Sequence, residues 1–249
     1  MTPLISPIRP QASQGTAATA LPRLDLYTTI HKAWRQFMSD TLGRVGRMDV
    51  DDETDRLATL DQVEALLLQL RAHLDHENHF VHAAIEARRP GGAQVTAGDH
   101  EEHLESIRNL EDEAQALRQA RGEQRHDLGL RLYRHLALFI AENFEHMQVE
   151  ERDNNAALWA LYSDAELLAL HERLMASIGP AEMAATARWM AAALNPRELA
   201  ELYLGVRAKA PLEAFNALLG VARSVLDDQR WAKLTRALRV PPVPGLMTV

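Results

Sequence analysis

The chain has 249 residues, enough for one helical domain with an extension, and it carries 27 Lys and Arg residues against 35 Asp and Glu residues. The net charge of −8 argues against a non-specific nucleic-acid partner, because the phosphate backbone attracts basic surfaces. There is no cysteine, which excludes disulfides, thiolate zinc sites and iron–sulfur clusters, so any metal must be held by His, Asp and Glu.

The two ends of the chain have the composition of tails. Residues 1–24 contain four prolines among small residues, with neither a basic start nor a continuous apolar block, and they are predicted to be disordered. The proline-rich residues 241–249 are predicted to form a second tail. No apolar run approaches the roughly 18 residues that span a bilayer, so we expect a soluble, cytoplasmic protein without a membrane partner.

Helical periodicity begins directly after the first tail. A helix is predicted over about residues 25–45, where apolar side chains recur every three or four positions and His31 lies at the edge of the stripe. The acidic run 49–55 is predicted to be a loop, and the second helix is predicted to begin at Thr59 because Thr-Leu-Asp-Gln is a capping pattern. A similar polar start at residues 96–99 predicts the beginning of the third helix.

Two His-xxx-Glu pairs lie on these helical stripes. His73 and Glu77 replace hydrophobic residues on the buried face of the second helix, and His146 and Glu150 end the fourth helix. Residues four apart differ by only about 40° around a helix, so each pair faces one point. An imidazole beside a carboxylate is poor core material, because both groups must be desolvated, but it is good metal-ligand material.

The third helix adds His100 and His103 at the head of an apolar stripe, and the fourth is predicted over about residues 127–151. Four helices joined by short loops predict an all-α fold, an up-down-up-down four-helix bundle over residues 25–162. In that arrangement the start of one helix lies level with the end of the next. We therefore expect all the inward histidines and glutamates at one end of the bundle.

These motifs resemble the hemerythrin-like, or HHE cation-binding, proteins over about residues 26–162. The resemblance implies a four-helix bundle that holds two non-haem iron ions through five histidines and two bridging carboxylates. It also implies an oxo or hydroxo bridge and one open position for O2 or another small diatomic ligand. The candidate metal ligands that match the pattern are His31, His73, Glu77, His100, His103, His146, and Glu150 or Glu151.

Two departures from the family pattern leave alternatives open. The spacing His100-xx-His103 replaces the HxxxH of the hemerythrins, which turns the second imidazole by about 60° and leaves open whether both histidines bind. The last carboxylate lies four or five residues after its histidine in the family, so Glu150 and Glu151 both fit, and helical geometry favours Glu150.

His82 and three other histidines (79, 126 and 171) fall off the inward stripes. The alternative to a metal site is a buried polar network without metal.

Residues 163–240 differ from the preceding region because they contain almost no candidate metal ligands. Capping residues and prolines at 163, 180, 196, 211 and 227–228 predict five short helices, a helical C-terminal extension of the bundle. The aromatic side chains of this extension are predicted to form its core, with a partner-binding surface as the alternative.

The leading functional hypothesis is binding or sensing of O2, or of a related molecule such as nitric oxide, at a di-iron centre, without catalytic turnover. A di-iron oxidase or peroxidase is the first alternative, although the ferritin-like di-iron enzymes use shells richer in carboxylates. The second alternative is an iron-responsive switch whose C-terminal helices bind a protein partner.

Overall fold

The structure is a computed structural model that describes residues 23–241. All regular structure within that range is helical, and no strand occurs in it, which confirms the predicted all-α fold class. Residues 1–22 and 242–249, which hold most of the two predicted tails, lie outside the described residues. None of the helices in residues 23–241 combines the length and the apolar character that crossing a membrane requires.

The first described residues are attached to the body of the protein. The Arg23 guanidinium donates hydrogen bonds to the carbonyl oxygens of Trp159 and Tyr162, and it pairs with the Asp164 carboxylate. The carbonyl of Leu24 accepts a hydrogen bond from the indole of Trp159 at 2.9 Å. The residues assigned to the end of the first tail are therefore packed against the helix that precedes the C-terminal extension.

Four long helices enclose the main apolar core. The helices of this part of the chain are α1 (Thr28–Gly46), α2 (Glu53–His76), α3 (Ala83–Arg88), α4 (Gln94–Gln119), α5 (Gln124–Val149) and α6 (Asn155–Leu161). Helix α1 packs against α2 and α5, while α4 packs against α2 and α5. Helix α2 contributes a stripe of buried leucines at helical spacing, which meets Trp34 and Phe37 of α1 and Phe139 of α5.

Two of these long helices continue through a π-helical turn. The first π segment, Glu77–His82, connects α2 to α3, and the second, Glu150–Asn154, connects α5 to α6. A π turn bonds residues five apart, so it changes which residues share a face of the helix. Each of the two π segments begins at one of the candidate carboxylates.

Two predicted helix starts are wrong. Helix α2 begins at Glu53 and not at Thr59, because the Asp52 carboxylate accepts hydrogen bonds from the backbone amides of residues 54 and 55. The second half of the acidic run therefore forms the first helical turn, where negative charge stabilises the helix dipole. Helix α4 begins at Gln94, two residues before Thr96, whose hydroxyl is buried beside His82.

The five predicted helices of the C-terminal region are confirmed. They are α7 (Asp164–Ser177), α8 (Pro180–Ala193), α9 (Pro196–Lys209), α10 (Leu212–Val225) and α11 (Asp228–Leu238). The side chains of Ser163 and Asn195 form capping boxes with Glu166 and Glu198 at the starts of α7 and α9. Helices α8 to α11 share an apolar core of their own, which includes Tyr203 and Phe215.

The C-terminal region is attached to the four long helices along α1. Helix α8 packs against α1, where the Trp189 indole stacks on the Phe37 ring with centroids 4.0 Å apart and planes 15° apart. The Lys32 ammonium of α1 pairs with Glu198 at 2.5 Å. Helix α7 lies against the first π segment. The C-terminal helices therefore contact two of the elements that carry candidate metal ligands.

Candidate metal centre

Two of the three candidate carboxylates, Glu77 and Glu150, are buried among imidazoles at one end of the four long helices. Glu77 and Glu150 are 3% and 0% exposed, and His31, His100 and His146 are buried beside them. His31 comes from α1, His73 from α2, His100 from α4 and His146 from α5, so all four long helices contribute to the cluster. The cluster agrees with the expectation that the inward His and Glu residues meet at one level.

Glu77 faces imidazoles on two sides. Its Oε1 atom lies 3.3 Å from Nε2 of His73 and 3.5 Å from Nε2 of His31. Its Oε2 atom lies 3.6 Å from Nε2 of His100. One carboxylate therefore lies between two groups of imidazoles, as a bridging ligand would.

Glu150 has a similar position between the two groups. Its Oε2 atom lies 3.2 Å from Nε2 of His146 and 3.5 Å from Nε2 of His31. Its Oε1 atom lies 3.6 Å from Nε2 of His100 and also 3.6 Å from Nε2 of His82. Oε1 of Glu150 thus faces two imidazoles on the His100 side of the cluster, whereas its Oε2 faces one imidazole from each side.

These side chains form two sets of converging ligand atoms, and the atoms of each set all lie within 4.8 Å of one another. Position A consists of His31, His73 and Glu77, and position B consists of Glu77, His100, His146 and Glu150. Glu77 belongs to both positions.

Four buried carboxylate oxygens, two on Glu77 and two on Glu150, make no hydrogen bond within the described part of the chain. The same is true of Nε2 of His31. Unpaired buried acceptors are costly, so a set of them converging on one point fits a cation. Nitrogen and carboxylate donors without sulfur suit iron, manganese or zinc.

Hydrogen bonds on the outer side of three imidazoles fix the direction in which their other nitrogens point. Nδ1 of His31 bonds Glu151 at 3.0 Å, Nδ1 of His146 bonds Asp99 at 3.1 Å, and Nδ1 of His100 bonds Asn78 at 2.8 Å. An oxygen partner at Nδ1 requires the proton there, so in the neutral ring Nε2 is the bare nitrogen that is able to bind a metal. Glu151 therefore lies outside the ligand positions and orients His31.

The separation of two of these bare nitrogens supports the metal interpretation of position B. Nε2 of His100 lies 2.9 Å from Nε2 of His146. When both rings are neutral and carry their protons on Nδ1, neither nitrogen donates to the other. Two imidazole nitrogens bound at right angles to one ion, each about 2.1 Å from it, lie about 3 Å apart.

His103 is buried, but it belongs to neither position. Its ring meets the His146 ring edge-on with centroids 4.9 Å apart, and it packs in the same way against Phe139 at 5.9 Å. Its Nδ1 atom has no hydrogen-bond partner among residues 23–241. Burial, together with the neighbouring His146 and His100, lowers the pKa of His103 to about 4. The structure therefore places this candidate ligand beside position B and not in it.

The α-helical stripes missed His82 and Asn78. Helical periodicity predicts that His82 lies off the inward face, yet it is 4% exposed and its Nε2 atom faces Glu150. The reason is the first π segment, in which Glu77 and His82, five residues apart, come to the same face. The sequence does contain a signal for this residue, because a histidine five residues after a carboxylate shares its face when the segment forms a π turn.

The cluster strongly perturbs the protonation of its members. Burial raises the pKa of Glu150, but the imidazoles of His100, His146 and His82 hold it well below its ordinary value. Burial alone lowers the pKa of His31, yet the carboxylates of Glu151 and Glu77 raise it to about 9. These opposite shifts follow from confining carboxylates and imidazoles in one low-dielectric space.

Tyr27 closes the cluster next to His31. Its ring centroid lies 5.2 Å from that of His31, and its hydroxyl oxygen accepts a hydrogen bond from the amide of Asn154 at 3.2 Å. Burial raises the pKa of Tyr27 well above its ordinary value, and the charges of Glu150 and Glu77 raise it further. The hydroxyl is therefore protonated at neutral pH and lies within electrostatic reach of both carboxylates.

No protein-family model, curated protein or solved structure matches this chain. The described residues themselves define the class of site: a buried cluster of histidines and glutamates, contributed by four helices, that is able to hold metal.

Proposed function

We propose that this chain is a hemerythrin-like non-haem di-iron protein that binds or senses O2 or a related small molecule such as nitric oxide. The observation that carries the proposal is the position of Glu77, whose two oxygens face two different groups of buried imidazoles. One carboxylate shared in this way supports two metal ions and not one. Oxygen and nitrogen ligands without cysteine favour iron, with manganese and zinc as competitors.

The proposal includes the up-down-up-down topology of the four long helices. Short connections join α1 to α2 and α4 to α5, and each long helix packs against its neighbours in the chain. In such a bundle, His31 near the start of α1 lies level with His73 and Glu77 at the end of α2. The same relationship holds between His100 near the start of α4 and His146 at the end of α5.

When bound, iron supplies redox chemistry and an open coordination position for a small ligand. The residues of the chain hold the ions, orient the imidazoles and limit the access of water. Trp34 packs against the ring of His73 on the side of position A, and Phe139 packs against His103 near position B. Apolar walls of this kind favour a bound small molecule over its further reaction with water.

A di-iron oxidase or peroxidase is a second candidate, and Tyr27 is the observation that favours it. A buried, protonated phenol next to His31 is a potential proton or hydrogen-atom donor for a reaction at the metals. The two candidates differ in turnover, because a binding protein stops at one ligand per site whereas an enzyme consumes many equivalents of oxidant and reductant.

The first experiment is metal analysis combined with visible spectroscopy. The full-length protein is loaded with Fe(II) without air, freed of excess metal and exposed to O2. We expect about two irons per chain, as in di-iron bundles, and an absorption band that appears with O2. A His126→Gln variant is the matched control, because this exposed histidine lies outside the cluster. A single tightly held metal per chain, or two irons without any spectral response to O2 or nitric oxide, would refute the proposal.

A further inference from the structure

We propose that His82 is a protein ligand of the metal at position B. This inference rests on the proposed dinuclear centre and adds a ligand that the inward α-helical stripes do not contain. It depends on the first π segment, which turns the His82 side chain toward Glu150 and buries it.

His82 and His100 present the same nitrogen to the same oxygen. Nε2 of His82 and Nε2 of His100 each lie 3.6 Å from Oε1 of Glu150. The two rings are stacked, with centroids 4.6 Å apart and planes 24° apart. Because His100 belongs to position B, His82 approaches that position in the same orientation from the neighbouring helix.

Asn78 fixes the protonation of both rings. Its Oδ1 atom lies 3.1 Å from Nδ1 of His82 and 2.8 Å from Nδ1 of His100. An amide oxygen only accepts hydrogen bonds, so each neutral ring carries its proton on Nδ1 and leaves Nε2 bare. Two bare nitrogens then converge with a carboxylate oxygen that makes no hydrogen bond within residues 23–241. A cation at this point would satisfy both nitrogens and the oxygen at once.

Thr96 is able to release His82 without losing its own hydrogen bond. Its hydroxyl oxygen lies 3.1 Å from Nε2 of His82 and 3.2 Å from the carbonyl oxygen of Ala93. The single hydroxyl proton serves one of these acceptors at a time. When His82 binds a metal, Thr96 keeps Ala93 as its acceptor and still accepts from Asn154. Metal binding by His82 therefore leaves no buried hydroxyl unpaired.

The two positions then differ in their ligands. Position B has the imidazoles of His82, His100 and His146, whereas position A has those of His31 and His73. We therefore expect two metal-binding steps of different affinity, with the step at position B weakened when His82 is lost.

The test compares His82→Gln with His103→Gln in the full-length protein. Both side chains are buried near position B, but only His82 faces Glu150 among these two. Anaerobic Fe(II) titration by calorimetry should give two equivalents for the unchanged protein. His82→Gln should lower the affinity for one of the two metal equivalents by about tenfold or more, which is the usual effect of removing a group that surrounds a bound metal. His103→Gln should leave the affinities of both metal equivalents within about threefold of those of the unchanged protein, a much smaller change than that expected for His82→Gln.

A second measurement does not depend on a variant that folds. In the protein labelled with ¹⁵N-histidine, the assigned His82 Nε2 resonance should shift when diamagnetic Zn(II) fills both positions, and the His103 nitrogens should shift little. An unmoved His82 resonance, or a His82→Gln variant that binds two metals with unchanged affinities, would overturn the assignment of His82 alone. An unchanged protein that binds fewer than two metals would instead overturn the proposed dinuclear function, and the role of His82 with it.

Discussion

Glu151 accepts a hydrogen bond from Nδ1 of His31 at 3.0 Å, on the side of the imidazole opposite to the Nε2 atom that faces Glu77. Its neighbour Glu150 has both oxygens inside the cluster. Two consecutive carboxylates thus have different tasks, one as a candidate ligand and the other as the group that orients a ligand. Arg35 holds Glu151 in place through a contact of 2.5 Å.

The different tasks predict different losses. Glu151→Ala should weaken metal binding by about 10- to 100-fold, because His31 loses the acceptor that fixes its orientation. Glu150→Ala should abolish metal binding at position B altogether. Glu145→Ala, an exposed carboxylate on the same helix, is the control and should behave as the unchanged protein. Equal affinities for Glu151→Ala and the control in an anaerobic Fe(II) titration would contradict the orienting role.

Glu77→Gln should separate metal binding from folding. The amide nearly preserves the shape of the side chain but removes the charge that both positions share, so binding of two metals should fall sharply. Burial and the charge of Glu150 raise the pKa of Glu77, but the imidazoles of His73 and His31 lower it overall, so the fold favours the charged carboxylate. The metal-free variant should therefore fold but be slightly less stable than the unchanged protein. Metal analysis and thermal unfolding measure the two effects separately. Unchanged metal content would remove Glu77 from the candidate ligands.

Metal should stabilise the folded protein. The ligand atoms converge in the folded state alone, so binding stabilises it by about 2.7 kcal/mol at a free metal concentration 100 times the dissociation constant. We expect the unfolding temperature to rise with Fe(II) or Zn(II) and to return to its original value after chelation. Glu77→Gln serves as the control, with little or no rise. A metal-independent unfolding temperature in the unchanged protein would contradict a site built in the core.

Trp189→Ala should weaken the attachment of the C-terminal helices without affecting the metals. The indole stacks on Phe37 of α1, and its loss should destabilise the protein by about 2 kcal/mol, less than for a fully buried tryptophan. Metal content should remain at that of the unchanged protein, because Phe37 lies outside both positions. Leu212→Ala, which removes an exposed side chain, is the control for urea unfolding. Loss of metal in Trp189→Ala would show that α8 helps to hold the site.

Tyr27→Phe distinguishes the binding function from the enzymatic one. If the protein binds O2, the reduced protein should form a coloured adduct or oxidise slowly, with no sustained consumption of O2 in the presence of a simple reductant. Tyr27→Phe should then change the rate of oxidation only modestly. Oxygen-electrode traces provide the measurement. Many cycles of O2 consumption per site, lost in Tyr27→Phe, would favour the oxidase or peroxidase.

Helical periodicity was sufficient to locate most of the cluster. A spacing of four fixes the relative direction of His73 and Glu77, and of His146 and Glu150, in any regular α-helix, so these pairs could be read from the sequence. The choice between Glu150 and Glu151 also followed helical geometry. The start of α2 could not be located in the same way, because Asp52 competes with Thr59 as a cap and the acidic run resembles a loop.

His82 and His103 show where periodicity was insufficient. A period of 3.6 residues places His82 away from the core, and the π turn that brings it inside has no reliable signature in composition. His103 lies on the buried face as its position predicts, yet a residue three positions after His100 is rotated out of position B. The hydrogen bonds that Asn78 and Asp99 accept from imidazoles join residues of different helices, and no local pattern encodes them.

The first π segment also has a consequence for how such a site is able to change. A π turn accommodates one more residue than an α turn over the same length, so deleting a single residue between Glu77 and His82 would convert it to a continuous α-helix. After the deletion the histidine would follow Glu77 by four residues of an α-helix, which keeps it on the same face as Glu77. A spacing of five across a π turn and a spacing of four in an α-helix therefore present this imidazole to Glu150 in a similar way. The segment is thus able to lose one residue at this point and keep the same set of inward side chains.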